Sequence, residues 1–91
     1  MAAKVNEFGK LLKTWRKELG LTLEQVAKKV DSHKGYVSGI ENGKVNPPAL
    51  DLICKLAKVF SKDAKALATL AYIDKAPDLI RDQFEAVRPK F

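Results

Sequence analysis

Apolar residues recur at three- and four-residue steps along almost the whole chain, and short turns cut each run short. That combination leaves room for little but a packed set of short helices. Val5, Phe8, Leu12, Trp15 and Leu19 form the stripe of a first helix that Gly20 stops. Thr22, followed three residues later by Gln25, is a capping box, and it opens a second helix with Val26, Ala27 and Val30 on one face. Asp31 and Ser32 make a short turn. A third helix then runs to about Ile40 or Asn42, with Gly43 as its stop. Pro47 and Pro48 disfavour helix just before them and favour it just after. The fourth helix is expected to bury Leu50, Ile53, Cys54, Ala57 and Phe60. Ser61 is placed to cap a fifth helix through Leu67, Leu70 and Ala71, and Pro77 to start a sixth striped by Ile80, Phe84 and Val87. No segment alternates apolar and polar residues between turn signals, so strands are unsupported. The expected class is all-α.

Ninety-one residues suffice for one small domain with a single core. No run of about 18 apolar residues is present to span a membrane, and the start, MAAKVNEFG, lacks the apolar centre of a secretory signal. Cys54 is the one cysteine, so packing alone must hold the fold, and a reducing cytoplasm is the expected compartment. At a position on the apolar side of the fourth helix, Cys54 reads as a packed core residue, not a reactive thiol.

Charge gives the first functional indication. The chain carries 17 Lys and Arg against 11 Asp and Glu, for a net charge of +6. Residues 1–60 hold 11 basic and 6 acidic groups (+5), residues 61–91 hold 6 and 5 (+1). A basic front and a near-neutral tail suggest polyanion binding by the first part and a separate task for the second.

The second and third helices, joined by so short a turn, have the geometry of a helix-turn-helix, and the small Ala27 lets the third helix approach closely. Three segments, FGKLLKTWRKELGLTLEQVAKKV, YVSGIENGKVNPP and LDLICKLAKVF, together resemble the Cro/repressor-like helix-turn-helix domains, also called the Xre family. The resemblance covers Phe8 to Phe60. It implies a five-helix lambda-repressor-like domain with an additional short C-terminal helix, divided as a DNA-binding core (1–60) and a helical extension (61–91).

The resemblance also implies roles. Arg16 and Glu41 would form a partly buried ion pair tying the first helix to the end of the third. His33, Lys34, Gly35, Tyr36, Ser38 and Gly39 would face the major groove. Thr22, Asn42, Lys44 and Asn46 would contact phosphates. Two positions depart from the pattern: Leu23 stands where many relatives have a glutamine that touches the DNA backbone, and Asp31 where they usually have glycine. Lys34 has the chemistry to donate to guanine O6 and N7. Gly35 and Gly39, four residues apart, are expected to form one bare strip, each costing the helix about 1 kcal/mol relative to alanine. Such a strip admits DNA closely but removes two base-reading side chains, so shape should carry part of the specificity.

The tail has too few apolar residues to stand alone. It either completes the core or builds a homodimer surface, with Leu67, Leu70 and Ile73 shared by both arrangements. Catalysis is not indicated: one histidine and one cysteine, no lysine-ended glycine loop and no metal-ligand spacing leave no enzyme, metal or cofactor site to assign. The expected function is a sequence-specific double-stranded DNA-binding transcriptional regulator, a repressor of phage, mobile-element or antitoxin type, acting on a palindromic operator. The alternative is a protein-interaction module, or an antitoxin binding a partner such as a toxin through its tail, with weak DNA readout.

Overall fold

The computed structural model describes residues 6–45 and 48–91. Val5 and Pro47 of the sequence argument lie outside them. The described residues form six α-helices and no strand: α1 (Glu7–Glu18), α2 (Leu23–Lys29), α3 (Lys34–Glu41), α4 (Leu50–Phe60), α5 (Ala64–Lys75) and α6 (Asp78–Arg81), followed by a 3-10 helix over Asp82–Val87.

One device ends each of the first four helices. An amide reaches back five residues to a carbonyl: Leu21 to Arg16 (3.0 Å), Ser32 to Ala27 (2.8 Å), Lys44 to Gly39 (2.9 Å) and Lys62 to Ala57 (2.8 Å). This closure needs one residue in the left-handed conformation. Gly20 and Gly43 supply it without strain, at φ of 68° and 70°. Asp31 and Ser61 adopt it at 56° and 55°. Ser61 therefore ends α4 and does not cap α5; Asp63 caps α5, its carboxylate accepting from the Lys65 amide at 3.2 Å. The Thr22 capping box forms as the spacing predicts, with Thr22 Oγ1 accepting from Gln25 N (3.1 Å) and Gln25 Oε1 from Thr22 N (2.8 Å).

The core gathers Phe8, Leu12 and Trp15 of α1, Val26 and Ala27 of α2 with Val30 at its end, Val37 and Ile40 of α3, Ile53, Leu56, Ala57 and Phe60 of α4, and Leu67, Leu70 and Ala71 of α5. α5 packs on both α1 and α4, while α3 packs on α1 and α2. In α4 the buried stripe is Ile53, Leu56, Ala57, Phe60, spaced i, i+3, i+4, i+7. Leu50 and Cys54 fall outside it and are exposed, because Cys54 stands one residue, about 100°, beyond Ile53 and Leu50 precedes the packed turns. Leu19, past the last turn of α1, is likewise exposed.

The tail departs most from the stripe drawn for it. Instead of one amphipathic helix it makes a single α-turn and a 3-10 segment, in which Ile80 and Val87 are exposed and Phe84 is only half-buried. Three apolar residues do not repay a longer helix. The tail nevertheless folds back on the bundle. Phe84 meets Tyr72 of α5 edge-on (centroids 5.8 Å apart), Arg88 pairs with Glu7 of α1, and Phe91 meets Trp15 edge-on at 5.1 Å. Phe60 (5.9 Å) and the Lys62 ammonium (4.9 Å) also contact the Trp15 ring.

Candidate nucleic-acid interface

α3 has only eight residues and two glycines, a length that does not hold itself together in water. Its neighbours fix it at both ends and along its inner face. Val37 and Ile40 bury that face. At the N-terminus, His33 is the cap, its Nδ1 accepting from the Tyr36 amide at 3.3 Å. At the C-terminus, the Arg16 guanidinium grips Glu41 with two hydrogen bonds, Nε to Oε2 (2.7 Å) and Nη2 to Oε1 (3.1 Å), and donates a third from Nη1 to the Leu21 carbonyl (3.0 Å). The two side chains are 13% and 4% exposed, so the pair is desolvated. The hydrogen bond to Glu41 outweighs burial and raises the Arg16 pKa above its ordinary value.

Asn6 completes the clamp. Its Oδ1 caps α1 at Gly9 N (3.3 Å), while its Nδ2 donates to the Glu41 carbonyl (3.0 Å), one of the orphan carbonyls at the end of α3. The backbones of α1 and α3 touch here. A Cβ on Gly9 would lie 2.3 Å from the Ile40 oxygen, and one on Gly43 would lie 2.9 Å from Asn6 Cγ. α1 is itself secured by α5: Asp74 accepts from the Phe8 amide at 2.7 Å, a carboxylate at a helix N-terminus. Burial raises the Asp74 pKa against the opposing pull of that hydrogen bond. Asn6, Gly9 and Asp74 were missed in the sequence. Asn6 had a signal, as a strong N-cap residue, and so did Gly9, as a glycine within an amphipathic run; Asp74 had none, since 66 residues separate it from its partner.

On the outer side, Lys34 and Gly35 are exposed and Ser38 is half-exposed. Asn42 Nδ2 folds back to donate to the Ser38 carbonyl (2.9 Å) and hydroxyl (3.2 Å). Lys44 and Thr22 are exposed. Tyr36 is half-buried and leans on the core. Asn46 lies outside the described residues. The glycines do not form one bare strip: Gly35 is open, but a Cβ on Gly39 would stand 3.2 Å from Val45 Cγ1, so Val45 roofs the second glycine. Leu23, half-buried, packs against the core. No group of three or more His, Cys, Asp or Glu able to hold a metal ion occurs among the described residues.

A tight pair of helices, the second clamped and turned outward, is the arrangement that a family model described as helix-turn-helix recognises over residues 12–67, more than half of the chain. The chain belongs to the Xre/Cro-like helix-turn-helix family. No curated protein and no solved structure matched it. As a helix-turn-helix protein it carries the domain of DNA-binding regulators, a family that is generally non-enzymatic. None of the described helices is long and apolar enough to cross a membrane. In the helix-turn-helix unit α2 and α3 are the paired helices, and α1 supplies the residues that set the angle of α3.

Proposed function

We propose that this helix-turn-helix protein is a sequence-specific regulator of transcription that binds double-stranded DNA through α3 and represses the gene beside its site. The observation that carries the reading is the clamped α3, fixed at both ends by contacts that leave Lys34, Gly35 and Ser38 outward. Lys34 reads an acceptor pair on guanine. Gly35 lets the helix backbone come close. Tyr36 and Ser38 supply the remaining groove contacts with His33, while Gly39, under Val45, contributes space more than contact. Thr22 and Lys44 hold phosphates. The Thr22 hydroxyl serves its capping box as an acceptor and keeps its hydrogen for a phosphate oxygen. Asn42 reaches a phosphate once it leaves Ser38, and Asn46 is the fourth member of this set. The net charge of +6 supports the same reading.

The exposed apolar tail favours a homodimer on a two-fold site. Leu79 is 91% exposed, and beside it lies a pocket of about 180 Å³ lined by Tyr72, Lys75, Ala76, Pro77 and Ile80. Leu79 of one copy in the pocket of the other, and the reverse, makes a self-complementary contact. The same surface supports the second reading, a partner protein such as a toxin held by the tail.

Selection of bound duplexes from a random pool tests the proposal. An enriched inverted repeat with half-sites about one helical turn apart is expected. Lys34→Ala should then weaken the best site by about 1–3 kcal/mol and relax one base pair, whereas Lys44→Ala should weaken all sequences alike. Equal losses from both changes on every sequence would remove the base-reading role of Lys34, and a pool with no enrichment would leave the partner-binding reading.

A further inference from the structure

The cap of α3 restricts how its histidine can meet a ligand. The Tyr36 backbone N–H can only donate, so His33 Nδ1, 3.3 Å from it, must offer a lone pair and carry no hydrogen. In a neutral imidazole the single proton then sits on Nε2. His33 is exposed, at the start of the helix that faces DNA in the function proposed above. Its flank is open as well. The nearest atoms to a Cβ built on Gly35 are His33 Nδ1 at 3.5 Å and Cε1 at 3.8 Å, so glycine leaves that side of the ring uncovered.

We infer that His33 is a specificity-determining residue that engages DNA as a neutral Nε2–H donor, its tautomer held by the cap it provides to its own helix. Such a group pairs with acceptors and refuses donors. Its partners are purine N7, guanine O6 or thymine O4; the amino groups of adenine and cytosine are excluded. The inference rests on the DNA-binding reading, and the experiment separates the two.

His33 is the chain's one histidine, so its ring nitrogens can be assigned without ambiguity. Long-range proton–nitrogen correlation spectra, recorded at mildly alkaline pH for the free chain and for its complex with the selected duplex, should show a bare Nδ1 and a protonated Nε2 in both. A complex with Nδ1 protonated overturns the inference. His33→Asn keeps a good capping oxygen but lacks the reach of the imidazole. It should unfold at nearly the wild-type denaturant midpoint and bind the selected duplex about 5- to 150-fold more weakly, the loss of one good contact. A loss confined to one base pair identifies a base-edge acceptor, whereas an equal loss on every sequence, the mark of a phosphate contact, would overturn the specificity role. Wild type and His33→Asn binding equally well would overturn the role of His33 alone, whereas a wild-type chain that binds no duplex would overturn the regulator reading beneath it.

Discussion

Replacing Arg16 by methionine keeps most of the side chain's apolar bulk and removes its charge, which isolates the electrostatic part of the clamp on α3. Glu41 would be left with a carboxylate 4% exposed and stripped of both guanidinium hydrogen bonds. Breaking a buried pair by deleting one partner costs about 3–5 kcal/mol. A chain of this length is stable by roughly 5–14 kcal/mol, so the variant should be folded but fragile. Urea titration followed by fluorescence of Trp15, the one tryptophan, measures this directly. With a slope of roughly 1.5 kcal/mol/M, the midpoint should fall by about 2–3 M. The double variant Arg16→Met/Glu41→Leu removes the orphaned charge and should recover most of the loss, since an apolar pair of similar volume often replaces a buried ion pair at little cost. A single-variant loss below about 1 kcal/mol, the range of an exposed pair, would refute the reasoning, as would a double variant no more stable than the single.

Two glycine substitutions with the same chemistry should act in opposite directions. Gly9→Ala drives a methyl to within 2.3 Å of the Ile40 carbonyl and forces α1 from α3, with an expected cost of about 1–3 kcal/mol by thermal unfolding. Gly35→Ala meets only the His33 ring at ordinary distance and should stabilise by up to about 1 kcal/mol. Asp74 supplies a pH dependence. Its folded-state pKa lies above the ordinary carboxylate value, chiefly through burial, so its contribution to stability is present where it is protonated and is lost as pH rises through the raised value. Asp74→Asn keeps an oxygen for the Phe8 amide without ionising. The stability of this variant relative to wild type should therefore improve as pH rises from the ordinary aspartate range through the raised value; a constant difference across that window would contradict the assignment.

Periodicity carried the core because burial is imposed on one face of each helix: Phe8, Leu12, Val26, Val30, Val37, Ile53, Phe60, Leu67 and Leu70 all lie inside. Turn chemistry was legible where one residue type has one use. Gly20 and Gly43 stop helices, and Thr22 with Gln25 caps one. Asp31 kept the left-handed position that relatives usually give to glycine, as its tolerance for that conformation allows. Serine has more than one use, and Ser61 served as a helix stop where a cap was predicted. Cys54 and Leu50 were placed inside because a stripe of apolar letters does not say where its edge falls; the edge depends on where α5 and α2 sit against α4. The tail was legible only as short and weakly apolar. Of the outward residues on α3, sequence placed Lys34 and Gly35 correctly in the open, and it could not foresee Val45 over Gly39, which arises from the path of the loop after the helix.

Among the described residues, the main contacts that fix α3 come from its ends and from its inner face: the His33 cap, the Asn6 and Arg16 grips, and the buried Val37 and Ile40. Within the eight residues of α3, folding and address are therefore written largely in separate letters, and His33, just before them, is the letter that serves both. Lys34 and Ser38 can be exchanged with little effect on whether the helix stands, and Gly35 is a blank that accepts a new side chain without erasing an old contact. A lineage carrying this domain could move to a new operator by filling that blank first, and an engineer retargeting it would begin at the same place.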